Sequence, residues 1–173
     1  MALEHHRHVV DHIPVRIAHD GILFRVGVDA YEAPDLDVLI RSSVDPLLFL
    51  EFHRQFTHSL VFIPIGAALC AAVLFPFVRR RCRAREVYLY CLLGFATHGL
   101  LDACTSYGTQ LYWPFSNYRV AWNNISIVDP LFTFPVLALV VLAARRGRVA
   151  LARAACVWAA LYLAVGFVQR DRA

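Results

Sequence analysis

Charge is scarce in this chain: 17% of its 173 residues are Asp, Glu, Lys or Arg, against about 25% in a typical soluble domain. Hydrophobic residues make up 59%, above the roughly 45–50% of such domains, and a balance this apolar points to a membrane. Lysine is absent, so all 17 basic residues are arginine, and with 13 acids they leave a net charge of +4. A positive total suits nucleic acid or anionic lipid, and the positions of the arginines decide between them. The five cysteines, Cys70, Cys82, Cys91, Cys104 and Cys156, contain no CxxC pair. That disfavours disulfides and thiolate zinc sites and leaves small apolar packing as their role. Internal repeats, a Walker loop and a Rossmann glycine pattern are also missing. A chain of this length is expected to hold one domain, or a small one with a tail, rather than a catalytic domain plus a separate anchor.

What is present is a series of long apolar runs. Residues 60–78 form nineteen positions without a charge, close to the ~20 that span a bilayer core. Pro64 and Pro76 are tolerated there because neighbouring helices can satisfy the freed carbonyls. Further runs cover 87–104, interrupted by His98 and Asp102, then 128–144 and 149–168, where Arg153 lies near enough to the interface to snorkel. The expected fold is all-α, a polytopic integral membrane protein with about four transmembrane helices. The connections 79–86 and 145–148 hold eight of the 17 arginines against the single acid Glu86, so the positive-inside rule places both in the cytoplasm. The start of the first helix, the 105–127 loop and the C-terminus then share the opposite face. Tyr107, Tyr112, Trp113, Phe115, Tyr118 and Trp122 in that loop fit an aromatic belt at the interface.

Residues 1–32 differ in kind. They contain five of the eight histidines, His5, His6, His8, His12 and His19, and lack the apolar core of a signal peptide. They are expected to be an atypical N-terminal segment, disordered or mis-framed, with a His-rich metal-binding tract as the alternative. Residues 33–173 are expected to form the membrane-embedded domain.

Ionisable groups near membrane helices are functional candidates by default. His98 and Asp102, in HGLLD, are four apart and share one face of a helix. Such a pair can share a metal or simply hydrogen-bond to fix packing. His53 and His58, in HRQFTHS, are five apart, a spacing that would splay them by ~140° on a continuous helix. His53 is therefore expected before the helix, with Thr57 or Ser59 capping nearby. Asp35 and Asp37, in APDLDVL, alternate after a proline, and an extended segment would present both on one side; a turn or cap is the alternative. Asp129, before Pro130, is a candidate ligand or a favourable helix N-terminal charge. The topology gathers all of these at the non-cytoplasmic face, whereas unrelated structural roles would scatter them over both.

The series APDLD, HRQFTHSL, THGLLDACTSYGTQLYWPFS and IVDP resembles the YdjM-like family of LexA-regulated bacterial inner-membrane proteins, described as membrane-bound metal-dependent hydrolases. The resemblance covers about 33–135. The family is in turn distantly similar to zinc-dependent phospholipase C and single-strand nucleases, which use an Asp, a His and an HxxxD pair. The resemblance thus implies Asp35 or Asp37 as the Asp, His53 or His58 as the His, and His98 with Asp102 as the HxxxD pair. Family members usually begin with an apolar hairpin, which residues 1–32 do not resemble.

The expected function is hydrolysis of a phosphoester or lipid-linked substrate by metal-activated water at the non-cytoplasmic face of the bacterial inner membrane. A divalent metal, zinc by the resemblance, is expected in one or two copies, since zinc lowers the pKa of its water to about 7. Asp35, His58, His98 and Asp102 are the expected metal ligands. Asp37, His53 and Asp129 are expected to complete a second metal, orient a ligand or act as general base. Arg54 and Arg119 are expected to hold an anionic group. The expected partners are membrane lipids and the substrate, with no stable nucleic-acid partner. The alternatives are a small metal transporter or a metal-stabilised structural membrane protein; transport sites tend to lie near the bilayer midplane, which ranks transport second.

Overall fold

The computed structural model describes residues 19–39 and 53–172. They are helical throughout, apart from loops and an isolated antiparallel bridge between Thr109 and Val120. Helix α1 covers 19–32 and passes directly into a 3-10 helix, Ala33–Leu39. A short 3-10 turn, Phe56–His58, leads to α2, Phe62–Val78, and α3, Ala84–Ala103. After the loop come α4, Pro130–Arg146, and α5, Val149–Arg170. The described residues fall into two compact units, one of 19–39, 53–99 and 110–118, the other of 100–109 and 119–172.

The core of the first unit is built from three helical stripes. Leu23, Val26 and Ala30 on α1, Ile63, Ala67 and Ala71 on α2, and Val87, Cys91 and Phe95 on α3 are all buried together. Each set repeats every three or four residues, the period of one helix face. Alanine and cysteine at the contacts let the helices approach closely, and Gly94 sets the limit. A Cβ there would lie 2.5 Å from the Gly27 carbonyl oxygen and 2.9 Å from the Tyr31 nitrogen. Helix α1 falls in the stretch to which composition assigned no structure, because its buried face is short and is interrupted by charge. His5, His6, His8 and His12 lie outside the described residues.

In the second unit α4 packs along α5, with the Phe132 and Tyr162 rings 5.6 Å apart. Cys82, Cys91 and Cys104 are buried free thiols, in keeping with a packing role, whereas Cys156 is exposed.

The expectation of four transmembrane helices is corrected here. Among the described residues, one helix, Val149–Arg170, is long and apolar enough to cross a membrane. At 1.5 Å per residue its 22 residues extend roughly 33 Å, against about 30 Å of hydrocarbon. Helix α2 is apolar but has only 17 residues. Helix α3 has 20 but carries Arg85 and Glu86 in its first turn and Asp102 at its end. Helix α4 has 17 and ends in Arg145 and Arg146. The helix bounds lie within three residues of the apolar runs; what falls short is length in α2 and α4 and apolar character in α3. The connections are shorter than the expected 79–86 and 145–148: residues 79–83 join α2 to α3, so that Arg85 and Glu86 already belong to α3, and α4 includes Arg145 and Arg146 and is capped by Gly147.

Candidate metal centre

The 3-10 geometry of Ala33–Leu39 corrects the extended segment expected for Asp35 and Asp37. At three residues per turn, side chains two apart diverge, so the two carboxylates reach His58 from different sides, Asp35 at Nε2 and Asp37 at Nδ1.

Asp37 is 2% exposed and reaches the 53–58 segment. Its Oδ1 is 2.8 Å from His53 Nδ1. Its Oδ2 accepts from the Arg54 backbone nitrogen at 3.0 Å and from the Thr57 hydroxyl at 2.7 Å. Burial works to raise this carboxyl, but hydrogen bonds from His58, His53, Thr57 and the Arg54 backbone outweigh it and leave it at about 2. Asp37 is therefore an ionised acceptor. Arg54 holds a left-handed backbone, φ 60°, uncommon for a non-glycine residue and suited to a locally fixed turn.

The ionised Asp37 sets the tautomer of His58. Thr57 has one hydroxyl proton, and the carboxylate can only accept, so Thr57 donates to Asp37. Its oxygen, 2.8 Å from His58 Nδ1, must then accept from an Nδ1–H. The lone pair of His58 is thereby directed to Nε2. That atom lies 3.0 Å from His98 Nε2 and 3.4 Å from Asp35 Oδ1, and His98 Nε2 is 3.3 Å from the same oxygen. When they are protonated at Nε2, His58 and then His98 hydrogen-bond to Asp35 and hold its carboxyl well below its usual range.

Two imidazole nitrogens and a carboxylate oxygen thus converge on one point. A tetrahedral site with bonds of about 2.0–2.1 Å spaces its ligand atoms by roughly 3.3 Å, and the observed 3.0–3.4 Å fits that spacing. A single proton between His58 and His98 satisfies this donor set less fully than a cation does. Helix α3 runs unbroken through His98 and Asp102, and with Asp102 the four residues each offer an atom within 4.8 Å of the others. Asp35, Asp37 and His53 form a second group by the same measure. His58 and His98 are buried, whereas the Asp35 side chain is 44% exposed, so the centre opens on the Asp35 side. Gly99 permits the approach: a Cβ there would sit 3.0 Å from the His58 carbonyl oxygen.

The remaining expected residues have other attachments. Asp129 caps α4, its Oδ1 accepting from the Phe132 nitrogen at 3.1 Å and its Oδ2 from the Tyr162 hydroxyl at 2.8 Å. It belongs to neither ligand group. Arg119 donates to the Gly108 carbonyl at 3.3 Å and stacks over Tyr107. Ser59 accepts from the Phe62 nitrogen at 3.2 Å, the capping role expected near His58. Two contributors were not foreseen. Thr57 was considered only as a cap, and Tyr31 packs edge-on against His98 with ring centroids 4.7 Å apart.

An apolar all-α chain with one helix of bilayer length and a buried His/Asp cluster spaced to suit a divalent ion has the character of a helical membrane protein with a candidate metal-binding cluster. The model of the family described as YdjM inner membrane protein matches residues 15–173, and the chain belongs to that family. The match begins well before residue 33, so it includes α1. The chain is also similar to the uncharacterized protein YfhP of Bacillus subtilis (strain 168), 29% identical over 109 residues, or 63% of this chain and 33% of that protein. The aligned region therefore spans about a third of that relative's length. No solved structure matches.

Proposed function

We propose that this protein is a membrane-bound metal-dependent hydrolase acting on a phosphoester or lipid-linked substrate at the non-cytoplasmic face of the inner membrane. The observation that carries the reading is the convergence of His58 Nε2, His98 Nε2 and Asp35 Oδ1 within 3.4 Å. Asp35, His58, His98 and Asp102 would hold the ion, and the mixed imidazole and carboxylate donors suit zinc. A divalent ion there supplies Lewis acidity, polarising the scissile group and making water nucleophilic near neutral pH.

The chain's own residues supply the proton chemistry. With Asp37 ionised, His53 Nδ1 donates to it at 2.8 Å, which leaves the lone pair on Nε2. A histidine oriented in this way by a carboxylate is a general base. It takes the proton of the attacking water while the bond to the leaving oxygen breaks. Arg54, next to His53 in the chain, is the cation proposed to hold an anionic group.

A multi-pass arrangement is favoured by outward apolar faces. On α2, Ile65, Leu69, Val73 and Phe77 form one stripe, all at least half exposed, and α4 and α5 expose Leu131, Phe134, Leu161 and Val165. Such faces suit lipid, and shorter helices are accommodated by local thinning of the bilayer. The arginine-rich connections would then be cytoplasmic.

The decisive experiment is elemental mass spectrometry of the detergent-purified protein beside His58→Ala and His98→Ala. One or two equivalents of metal, lost in both variants, are expected. Unchanged metal content in His98→Ala would refute the ligand assignment. A substrate screen follows, in which lipid-linked phosphoesters are expected to turn over and their soluble headgroup analogues to lose activity; equal turnover would remove the lipid-linked part of the reading.

A further inference from the structure

The second unit holds a cavity of about 620 Å³ between the 123–126 loop, the start of α4 and the last turns of α5. Its wall has a definite electrostatic character. Asp129 is the one charged lining residue, and no arginine or histidine lines the space. Arg170, next in sequence to the lining residue Gln169, donates instead to the Trp122 carbonyl and to Asp171.

The polar groups are weighted toward acceptors. Tyr162 gives its proton to Asp129, so its oxygen faces a ligand as an acceptor. Asn124 is 8% exposed, and its Nδ2 donates to the Leu163 carbonyl at 3.3 Å. That bond fixes which end of the amide is nitrogen, and Oδ1 is sealed beneath the wall, so Asn124 shapes the cavity while the Asp129 carboxylate and the Tyr162 oxygen are the acceptors offered to a ligand. Gly166 keeps Asn124 in place, since a Cβ there would run into the Asn124 carbonyl. Ser106, Ser126 and Gln169 contribute neutral groups, while Leu131 and Val165 supply apolar wall.

A negative, acceptor-rich cavity bordered by aliphatic side chains calls for a cation that donates hydrogen bonds and carries an apolar tail. We propose that it binds the headgroup of a phospholipid bearing a primary ammonium, of the ethanolamine class. The ammonium is taken by Asp129 and the neighbouring acceptors, the phosphate by the neutral hydroxyl and amide groups, and the acyl chains lie along the apolar wall. A trimethylammonium headgroup has the charge but no N–H donors, and a glycerol headgroup has donors but no positive charge. The site therefore discriminates against both. This inference is independent of the metal centre.

The test is native mass spectrometry of the full-length protein in detergent with equimolar ethanolamine, choline and glycerol phospholipids. Retention of the ethanolamine lipid roughly tenfold above each of the others is expected, the scale of one charge-assisted hydrogen bond. The Asp129→Asn variant should abolish most of this preference while keeping the α4 cap, because asparagine is an equally good N-cap; circular dichroism checks that it folds. Equal retention of the three lipids by the unaltered protein would overturn the proposal whatever the variant does. A preference that survives in Asp129→Asn would overturn the assignment of the ammonium to this carboxylate. Displacement of the lipid by an equal concentration of free ethanolamine would overturn the lipid and leave a soluble amine site.

Discussion

At the scale of the residue, the metal centre depends on a proton whose position follows from two buried oxygens. Thr57 stands between the Asp37 carboxylate and His58 Nδ1, at 2.7 and 2.8 Å, and so directs the His58 lone pair to Nε2. Partners of this kind, which orient a ligand without touching the ion, are typically worth 10–100-fold in metal affinity. Thr57→Val keeps the side chain's shape and removes the hydroxyl, so a fall in metal affinity of roughly 10–100-fold is expected. Thr57→Ser should restore affinity to within about threefold, because it returns the hydroxyl. Competition against a chelator of known affinity measures both, and Thr57→Val binding as tightly as the parent would refute this orienting role. The histidines and aspartates of the site were legible in the sequence because ionisable residues are scarce there. Threonine carries no such signal, and its part depends on a fold that brings residue 37 to residue 57.

At the scale of the element, the site is held by a crossing of helices that only a small residue allows. Gly94 lets α3 lie against the backbone of α1. Gly94→Ala would force two backbones apart and is expected to cost about 1–3 kcal/mol, the usual range for an overpacked core. Thermal unfolding checks this, and a midpoint unchanged within error would show that the crossing can relax. The same separation would shift Tyr31 away from His98 and loosen the site from a distance. The pairing of His98 with Asp102 needed only the helical repeat and was readable from HGLLD. The local form of APDLDVL was not, since a proline followed by alternating acids suits an extended strand or a tight turn equally well. The outcome, a 3-10 helix, divides the two acids between the ligand cluster and the hydrogen bonds that support it.

At the scale of the whole molecule, a metal held at the proposed centre would be linked to folding, because a ligand that binds only the folded state stabilises it. At 100 times the dissociation constant the gain is about 2.7 kcal/mol. Chelation is therefore expected to lower the unfolding midpoint and restored zinc to raise it, with no zinc-dependent shift in His58→Ala. A chelator-insensitive midpoint in the unaltered protein would argue against a metal-stabilised fold. Sequence alone determined that the chain is helical and apolar, that arginine marks its tight connections, and that a small set of histidines and aspartates is its candidate metal-binding set, because composition and the 3.6-residue repeat are local properties. Tertiary structure decided that α1 belongs to the core, which acids face the candidate ligand point, and that Asp129 both caps α4 and lines a separate cavity. Those outcomes depend on contacts between residues far apart in the chain, which no local pattern encodes.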